Sequence, residues 1–174
     1  ALTASDQYVL TVTNVNDAPS ITSTADTTAT EDAAYAYVIT ATDDEGQTIT
    51  MTGTTIPSWA EFVDVGSGTA VLSGTPDNGD VGSHSVVITA TDASNAAGTQ
   101  SFTIVVSNTN DAATIANNAN TGAVTEDAST TTATGTPTVS DDDTGENTLT
   151  DVSAGTDSVS GYGTYGVSSG TWTY

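Results

Sequence analysis

Apolar side chains occupy every second position in several short stretches of this chain. The alternating series are Tyr8, Leu10 and Val12; Tyr35, Tyr37, Ile39 and Ala41; Val86, Ile88 and Ala90; and Phe102, Ile104 and Val106. Because successive side chains of a β-strand point to opposite faces, this period of two indicates half-buried strands. Turn signals such as Asp44-Glu45-Gly46 separate the series, and no stretch keeps a helical apolar period. The pattern predicts an all-β protein.

An internal repeat predicts where the modules begin and end. Residues 8–18 align without gaps on residues 102–112, an offset of 94 residues, and both copies end in Asn-x-Asn-Asp-Ala. Pro19 follows the first copy and prevents that strand from continuing as a central one. Module boundaries are therefore expected near residues 18 and 112.

These boundaries divide the chain into three predicted segments. Residues 1–18 are expected to be the closing strand and linker of a preceding module, residues 19–112 a complete β-sandwich, and residues 113–174 an incomplete one. If Tyr174 were followed by Ala1, the two end segments would form one continuous module. The chain is then either one period of a longer polymer, or its first strand completes the last module of a neighbouring copy by β-augmentation. An arbitrarily cut fragment is the remaining alternative, although an unpaired strand edge would favour aggregation.

The charge of the chain limits its partners. It has 22 acidic residues, no Lys and no Arg, which gives a formal net charge of −22. Nucleic-acid phosphates and anionic lipid headgroups are repelled by such a chain, and no apolar run approaches the roughly 20 residues of a membrane helix. With no Cys, disulfides and thiolate sites are excluded. We expect each carboxylate to be solvated or metal-bound, with cations as the natural partners.

Four short motifs mark the middle of the chain. They are Val15-Asn16-Asp17-Ala18-Pro19, Ile39-Thr40-Ala41-Thr42-Asp43, Leu72-Ser73-Gly74-Thr75-Pro76 and Ile88-Thr89-Ala90-Thr91-Asp92. Together they resemble the cadherin-like, dystroglycan-type modules of large bacterial surface proteins over about residues 19–112. Further motifs follow, namely Val124-Thr125-Glu126-Asp127, Val139-Ser140-Asp141-Asp142-Asp143 and Gly170-Thr171-Trp172-Thr173-Tyr174. These resemble the start of a VCBS repeat without its closing strands.

The resemblance implies tandem immunoglobulin/cadherin-like β-sandwich modules in a secreted or cell-surface protein. Such arrays are adhesins, biofilm proteins and fibres in which the modules are spacers or weak binding units. We therefore expect a structural segment of a fibre or adhesin stalk, joined to adjacent repeats or to copies of itself. The alternative is a module that binds a carbohydrate or a cell surface through exposed aromatic side chains. Trp59 and Trp172 are the candidates, although both also suit a core position.

The resemblance also implies Ca²⁺ at the junctions between modules. Calcium takes six to eight oxygen ligands, which carboxylates, Asn side chains and linker carbonyls supply. Carried over from the cadherin pattern, the ligands of a first site are Asn16, Asp17, Asp43, Asp44 and Asp92. If the two end segments form one module across copies, Glu126 of a neighbouring copy closes this site. Those of a second site are Asn110, Asp111, Glu31 and Asp141 or Asp143. The other interpretation is that the acidic turns are only solvated, or that acidity is an adaptation to high salt.

No pattern supports catalysis. His84 is the sole imidazole, and any Ser-His-Asp triad would have to be picked arbitrarily from many Ser and Asp residues. Carboxylate pairs are available by number alone, with no aromatic cleft around them. The sequence predicts a protein that is not an enzyme.

Overall fold

The structure is a computed structural model that describes residues 9–116, 123–124, 132–157 and 163–174. Within these ranges the chain forms strands and one short 3-10 helix, Asn78–Asp80, with no α-helix and no helix long and apolar enough to cross a membrane. The strands are β1 (Ser20–Ile21), β2 (Thr28–Thr30), β3 (Tyr35–Thr42), β4 (Thr50–Thr55), β5 (Ala60–Gly66), β6 (Thr69–Gly74), β7 (Gly82–Thr91), β8 (Ala97–Ser107), β9 (Thr114–Ala116), β10 (Thr134–Gly135), β11 (Thr138–Ser140), β12 (Val152–Asp157), β13 (Thr164–Ser168) and β14 (Thr171–Thr173). The prediction of an all-β protein is confirmed.

The chain divides into two compact units, Ala1–Ser107 and Asn108–Tyr174. The first unit is a sandwich of two four-stranded sheets with strand orders β1-β3-β6-β5 and β2-β8-β7-β4. Neighbouring strands are antiparallel except for β2 and β8, which are parallel. The predicted division at residues 18 and 112 stays a prediction.

The core of the first unit lies between its two sheets. Ile39 and Leu72 come from one sheet and Ile88 and Ile104 from the other, and all four are 0% exposed. Along β3, buried and exposed residues alternate without exception from Tyr35 to Thr42. Three of the four alternating series therefore form strands whose apolar faces meet in one core.

The remaining alternating series, Tyr8, Leu10 and Val12, does not form a strand over its described part. Residues 9–16 lie in no strand, and Val9, Leu10, Val12 and Val15 are 77–90% exposed. The strand expected around residues 8–12 is therefore not formed over its described part. The physical reason is the lack of partners, because β8 gains its hydrogen bonds from β2 and β7, while no described strand flanks residues 9–12.

The second unit repeats the first sheet of the first unit. In the first unit β3 pairs with β6 along most of its length and with β1 at its end. In the second unit two short strands, β10 and β11, take the place of β3. β10 pairs with β14, as β3 pairs with β6, and β11 pairs with β9, as β3 pairs with β1. Pro137 lies between β10 and β11 and interrupts the ladder because proline has no N–H to donate.

The hairpin turns of the two units also match. Ser67 and Gly68 join β5 to β6 with φ of 54° and 71°, and Ser169 and Gly170 join β13 to β14 with φ of 50° and 76°. Two successive residues with positive φ are typical of a type I′ hairpin turn. The pair β13-β14 is therefore the counterpart of β5-β6.

Candidate functional site

Two loops begin at the Asp of the same five-residue sequence, Ile-Thr-Ala-Thr-Asp, whose first four residues end a strand. In the first loop, Asp43 lies directly after β3 and accepts hydrogen bonds at Oδ1 from the backbone N–H groups of Glu45 (3.1 Å) and Gln47 (2.9 Å). Aspartate commonly builds turns in this way, since its short side chain reaches the backbone two residues on. The carboxylate of Asp43 therefore shapes the loop.

The second loop follows β7 and has the same geometry. Asp92 Oδ1 accepts the backbone N–H groups of Ser94 and Ala96, both at 2.8 Å. Its other oxygen, Oδ2, accepts the side-chain amide of Asn16 at 2.7 Å. Asp92 is 5% exposed, and these donors replace the water that its charge would otherwise require.

The linker before β1 is hydrogen-bonded to the first loop. Glu45 accepts the side-chain amide of Asn14 at Oε1 (3.0 Å) and the backbone N–H of Asp17 at Oε2 (3.3 Å). The Gln47 amide donates to Asn16 Oδ1. We call this arrangement the linker clasp, meaning an Asn side chain and an Asp backbone N–H, three residues apart in the linker, that bind the two oxygens of one loop carboxylate.

The second unit contains the same linker clasp, built from residues 94 positions later in the linker. Asp143 accepts the side-chain amide of Asn108 at Oδ1 (2.7 Å) and the backbone N–H of Asp111 at Oδ2 (2.6 Å). The Asp143 N–H donates to Asp141 Oδ1 at 2.8 Å, as the Glu45 N–H does to Asp43. Asp143 is only 4% exposed.

Hydrogen bonds to its carboxylate lower the pKa of Asp92. Its pKa lies below the usual value, chiefly because of the hydrogen bond from Asn16, helped by the backbone N–H donors of the loop, while burial opposes the shift. The expectation that every carboxylate is solvated or metal-bound stays a prediction for Asp92. N–H donors of the chain itself compensate its charge.

The structure places the residues of the first predicted calcium site as follows. Four of them belong to the hydrogen-bond network of the linker and the two loops, namely Asn16, Asp17, Asp43 and Asp92. Asp43 Oδ2 is buried and has no hydrogen-bond partner among the described residues. Asp44 is exposed, and no hydrogen bond within the described ranges joins its side chain to the network. Glu126 lies outside the described residues.

The residues of the second predicted site fall in two units. Asn110, Asp111, Asp141 and Asp143 lie at the linker clasp of the second unit, where the Asn110 amide donates to the Asp111 carbonyl at 2.6 Å. Glu31 belongs to the first unit, where it is 2% exposed and its backbone N–H donates to Ser107 O at 3.1 Å.

Sequence reasoning missed three residues of the clasps, namely Asn14, Asn108 and Glu45. Asn14 and Asn108 occupy equivalent positions in the 94-residue repeat. Glu45 is the third residue of Asp-Asp-Glu, just as Asp143 is the third of Asp-Asp-Asp. The repeat therefore contains the signal, because donor and acceptor residues recur at equivalent positions in both copies.

The aromatic side chains suit packing better than an exposed binding platform. Trp59 is half-buried and packs edge-on against Tyr35 and His84, with ring centroids 5.6 and 6.0 Å away. His84 Nε2 lies 2.6 Å from the Asp80 carbonyl oxygen. In the second unit, the half-buried Trp172 covers Gly135, where a Cβ would lie 2.5 Å from the indole nitrogen.

Comparison with known proteins gives one family and several partial structural similarities. The He_PIG family, described as Putative Ig domain, matches residues 18–107, and no curated protein matches the sequence. An endo-fucoidan hydrolase of glycoside hydrolase family 107 is 29% identical with a TM-score of 0.45, over 53% of this chain and 14% of its own. The SrpA adhesin of Streptococcus sanguinis is 18% identical with a TM-score of 0.47, over 55% and 59%. A PKD domain of an M14-like peptidase from a Thermoplasmatales archaeon is 23% identical with a TM-score of 0.41, over 53% and 98%.

Proposed function

The chain belongs to the He_PIG family of Ig domains, and from that premise we propose that it is a non-enzymatic structural repeat of a secreted or cell-surface fibre or adhesin stalk. In this function the Ig-like modules are spacers. The observation that carries the proposal is the linker clasp, which has the same donors and the same kind of acceptor in both units. The cadherin-like and VCBS assignments stay predictions.

The clasp supports a spacer role because it fixes the path of a linker on the module that follows it. Hydrogen bonds to ionised acceptors are roughly twice as strong as neutral ones. Two of them, one to each oxygen of a carboxylate, restrain both the position and the direction of the linker. A protein that holds a distant site at a set distance from a surface needs linkers of this kind.

Calcium at the linkers is the second part of the proposal. Asn16, Asp17, Asp43 and Asp92 would hold it in the first unit, and Asn110, Asp111, Asp141 and Asp143 in the second. The support is Asp43 Oδ2, a buried carboxylate oxygen to which no described residue donates a hydrogen bond. Carboxylate oxygens that accept one hydrogen bond also keep a further lone pair. Bound calcium would supply the positive charge that a chain with no Lys or Arg lacks.

The third part of the proposal is that copies of the chain join by strand complementation, in which a strand of one copy completes a sheet of another. The carbohydrate-binding alternative stays a prediction, because Trp59 and Trp172 are half-buried and face protein groups. No exposed aromatic side chain beside the linker clasp favours it among the described residues.

A calcium titration tests the proposed function. We expect chelator-stripped chain to bind calcium in isothermal titration calorimetry, to melt at a higher temperature with calcium, and to lengthen and stiffen in small-angle scattering. Asp43→Asn removes one charged ligand and should weaken binding by about tenfold or more, because ligand charge tunes calcium affinity. Glu61→Gln, an exposed acid in β5, is the matched control and should bind as the wild type does. No binding heat, together with an unchanged maximum dimension after chelation, would refute metal-stiffened linkers.

A further inference from the structure

The side-chain amide of Asn16 contacts two oxygen atoms of the first unit. Its Nδ2 donates to the backbone carbonyl of Asp17 at 3.1 Å and to Asp92 Oδ2 at 2.7 Å. An amide nitrogen carries two hydrogens, and both are used here. A carbonyl oxygen and an ionised carboxylate only accept hydrogen bonds, which fixes the orientation of this amide in the calcium-free chain. One NH2 group therefore holds together two oxygens of the kind that calcium binds.

The oxygen of the Asn16 amide belongs to a chain of reversible hydrogen bonds. Asn16 Oδ1 accepts the side-chain amide of Gln47, and Gln47 Oε1 accepts the hydroxyl of Ser94 at 3.0 Å. Each of these three side chains can both donate and accept. If the Asn16 amide turned over, its Nδ2 would donate to Gln47, and Gln47 would donate to Ser94. Both bonds would be kept with their directions reversed, and the exposure of Asn16 and Ser94 leaves room for the turn.

The linker of the second unit contains the same local bond. Asn110 lies 94 positions after Asn16 and donates from Nδ2 to the backbone carbonyl of Asp111 at 2.6 Å. Donor and acceptor are neighbours in the chain in both units. The orientation of the amide is therefore a property of the Asn-Asp linker and not of one loop.

Calcium and this orientation of the amide exclude each other. A calcium ion needs oxygen ligands, whereas Asn16 turns hydrogens toward Asp17 and Asp92. We propose that Asn16 is a reversible substitute for calcium: its Nδ2 holds the linker to Asp92 in the calcium-free chain, and its amide turns over to present Oδ1 when calcium is bound. The inference rests on the proposed function and names the residue that sets how much calcium the linker needs. Asparagine serves both states because it donates in one and accepts in the other.

The variant Asn16→Asp separates the two states, because a carboxylate cannot donate to Asp17 or Asp92. In chelator we expect its melting temperature to fall by at least about 4 °C, since repulsion between carboxylates replaces two hydrogen bonds. In calorimetry it should bind calcium at least about tenfold more tightly than the wild type, because ligand charge tunes calcium affinity. Saturating calcium should then remove the loss in melting temperature.

A matched control adds the same charge without touching the amide. Asn95 is exposed and lies in the same loop as Asp92, so Asn95→Asp brings a carboxylate near Asp92 but removes no hydrogen bond of Asn16. Its melting temperature in chelator and its calcium affinity should stay close to those of the wild type.

Nuclear magnetic resonance of the wild-type 174-residue chain follows the turn directly and needs no variant that has to fold. The side-chain N–H signals of Asn16 and Gln47, assigned through the backbone, should move together when calcium is added and return with chelator. Wild-type calcium binding without these movements would overturn the inference and leave the proposed function intact. The same conclusion follows if Asn16→Asp melts like the wild type in chelator. Absence of calcium binding by the wild type would overturn both, and the wild-type titration alone reports it.

Discussion

Gly98 lies where the start of the first sandwich crosses β8, and replacing it with alanine should loosen that crossing. A Cβ at Gly98 would lie 2.0 Å from the carbonyl oxygen of Pro19, whereas real Cβ contacts essentially never fall below 3.0 Å. The carbonyl of Pro19 would therefore have to move by about 1 Å. Pro19 is buried and follows the clasp residue Asp17 by two positions, so the displaced carbonyl lies close to the clasp in the chain.

The cost follows from two opposing effects. Overpacking a close contact typically destabilises by about 1–3 kcal/mol. Alanine restricts the unfolded chain more than glycine does, which returns about 0.4–1 kcal/mol. The net loss spans about 0–2.6 kcal/mol, and its midpoint of about 1.3 kcal/mol lowers the melting temperature of a unit of this size by about 5–10 °C.

Differential scanning calorimetry measures this loss against a matched control. Thr99→Ala changes the next residue of β8, which is exposed, and should stay within about 0.5 kcal/mol of the wild type. If Gly98→Ala melted at or above the wild-type temperature while the control behaved as expected, the contact between Pro19 and Gly98 would not restrain the linker.

Two further predictions concern pH. Because the pKa of Asp92 is lowered by Asn16 and by loop N–H donors, its contribution to stability is complete above the ordinary Asp value of about 3.9 and is lost as pH falls through the lower folded-state pKa. Urea unfolding between about pH 5 and about pH 2 should show a smaller acid-induced loss for Asp92→Asn than for the wild type, and equal losses would contradict the role of Asp92. Burial, then the charge of Asp26 and the nearby Tyr37, raise the pKa of Tyr35 to about 12, so stability should fall as pH rises from about 10 to about 12. Ultraviolet titration should show a late phase of tyrosine ionisation that decreases in Tyr35→Phe, and an unchanged late phase in that variant would contradict the assignment.

Much of the first unit could be predicted from its sequence because its strands are encoded locally. The alternation of Tyr35, Tyr37, Ile39 and Ala41 is a property of eight consecutive residues, and β3 buries those four positions. The same pattern around Leu10 does not produce a strand, since a strand also needs neighbours to accept its hydrogen bonds. Pairing partners are set by the topology, which a single alternating stretch does not contain.

The contacts of the candidate site were also hard to predict, because they join residues that are distant in the sequence. The resemblance to cadherin-like modules pointed to Asp43 and Asp92, and both belong to the network around the linker. Their main contacts, however, are N–H groups of their own loops, a local property of aspartate that composition does not reveal. Glu45 was missed because its partners Asn14 and Asp17 lie 31 and 28 residues away, and only the folded loop brings them together.

The direction of the linker clasp adds a constraint on how modules can be joined. In both units the donors come from the linker, and the acceptor comes from the module that follows it: Asn14 precedes Glu45, and Asn108 precedes Asp143. A linker bonded in this way moves with its following module as one body. Calcium held by the proposed ligands would strengthen this same attachment, because Asn16 and Asp17 belong to the linker and Asp43 and Asp92 to the module that follows it.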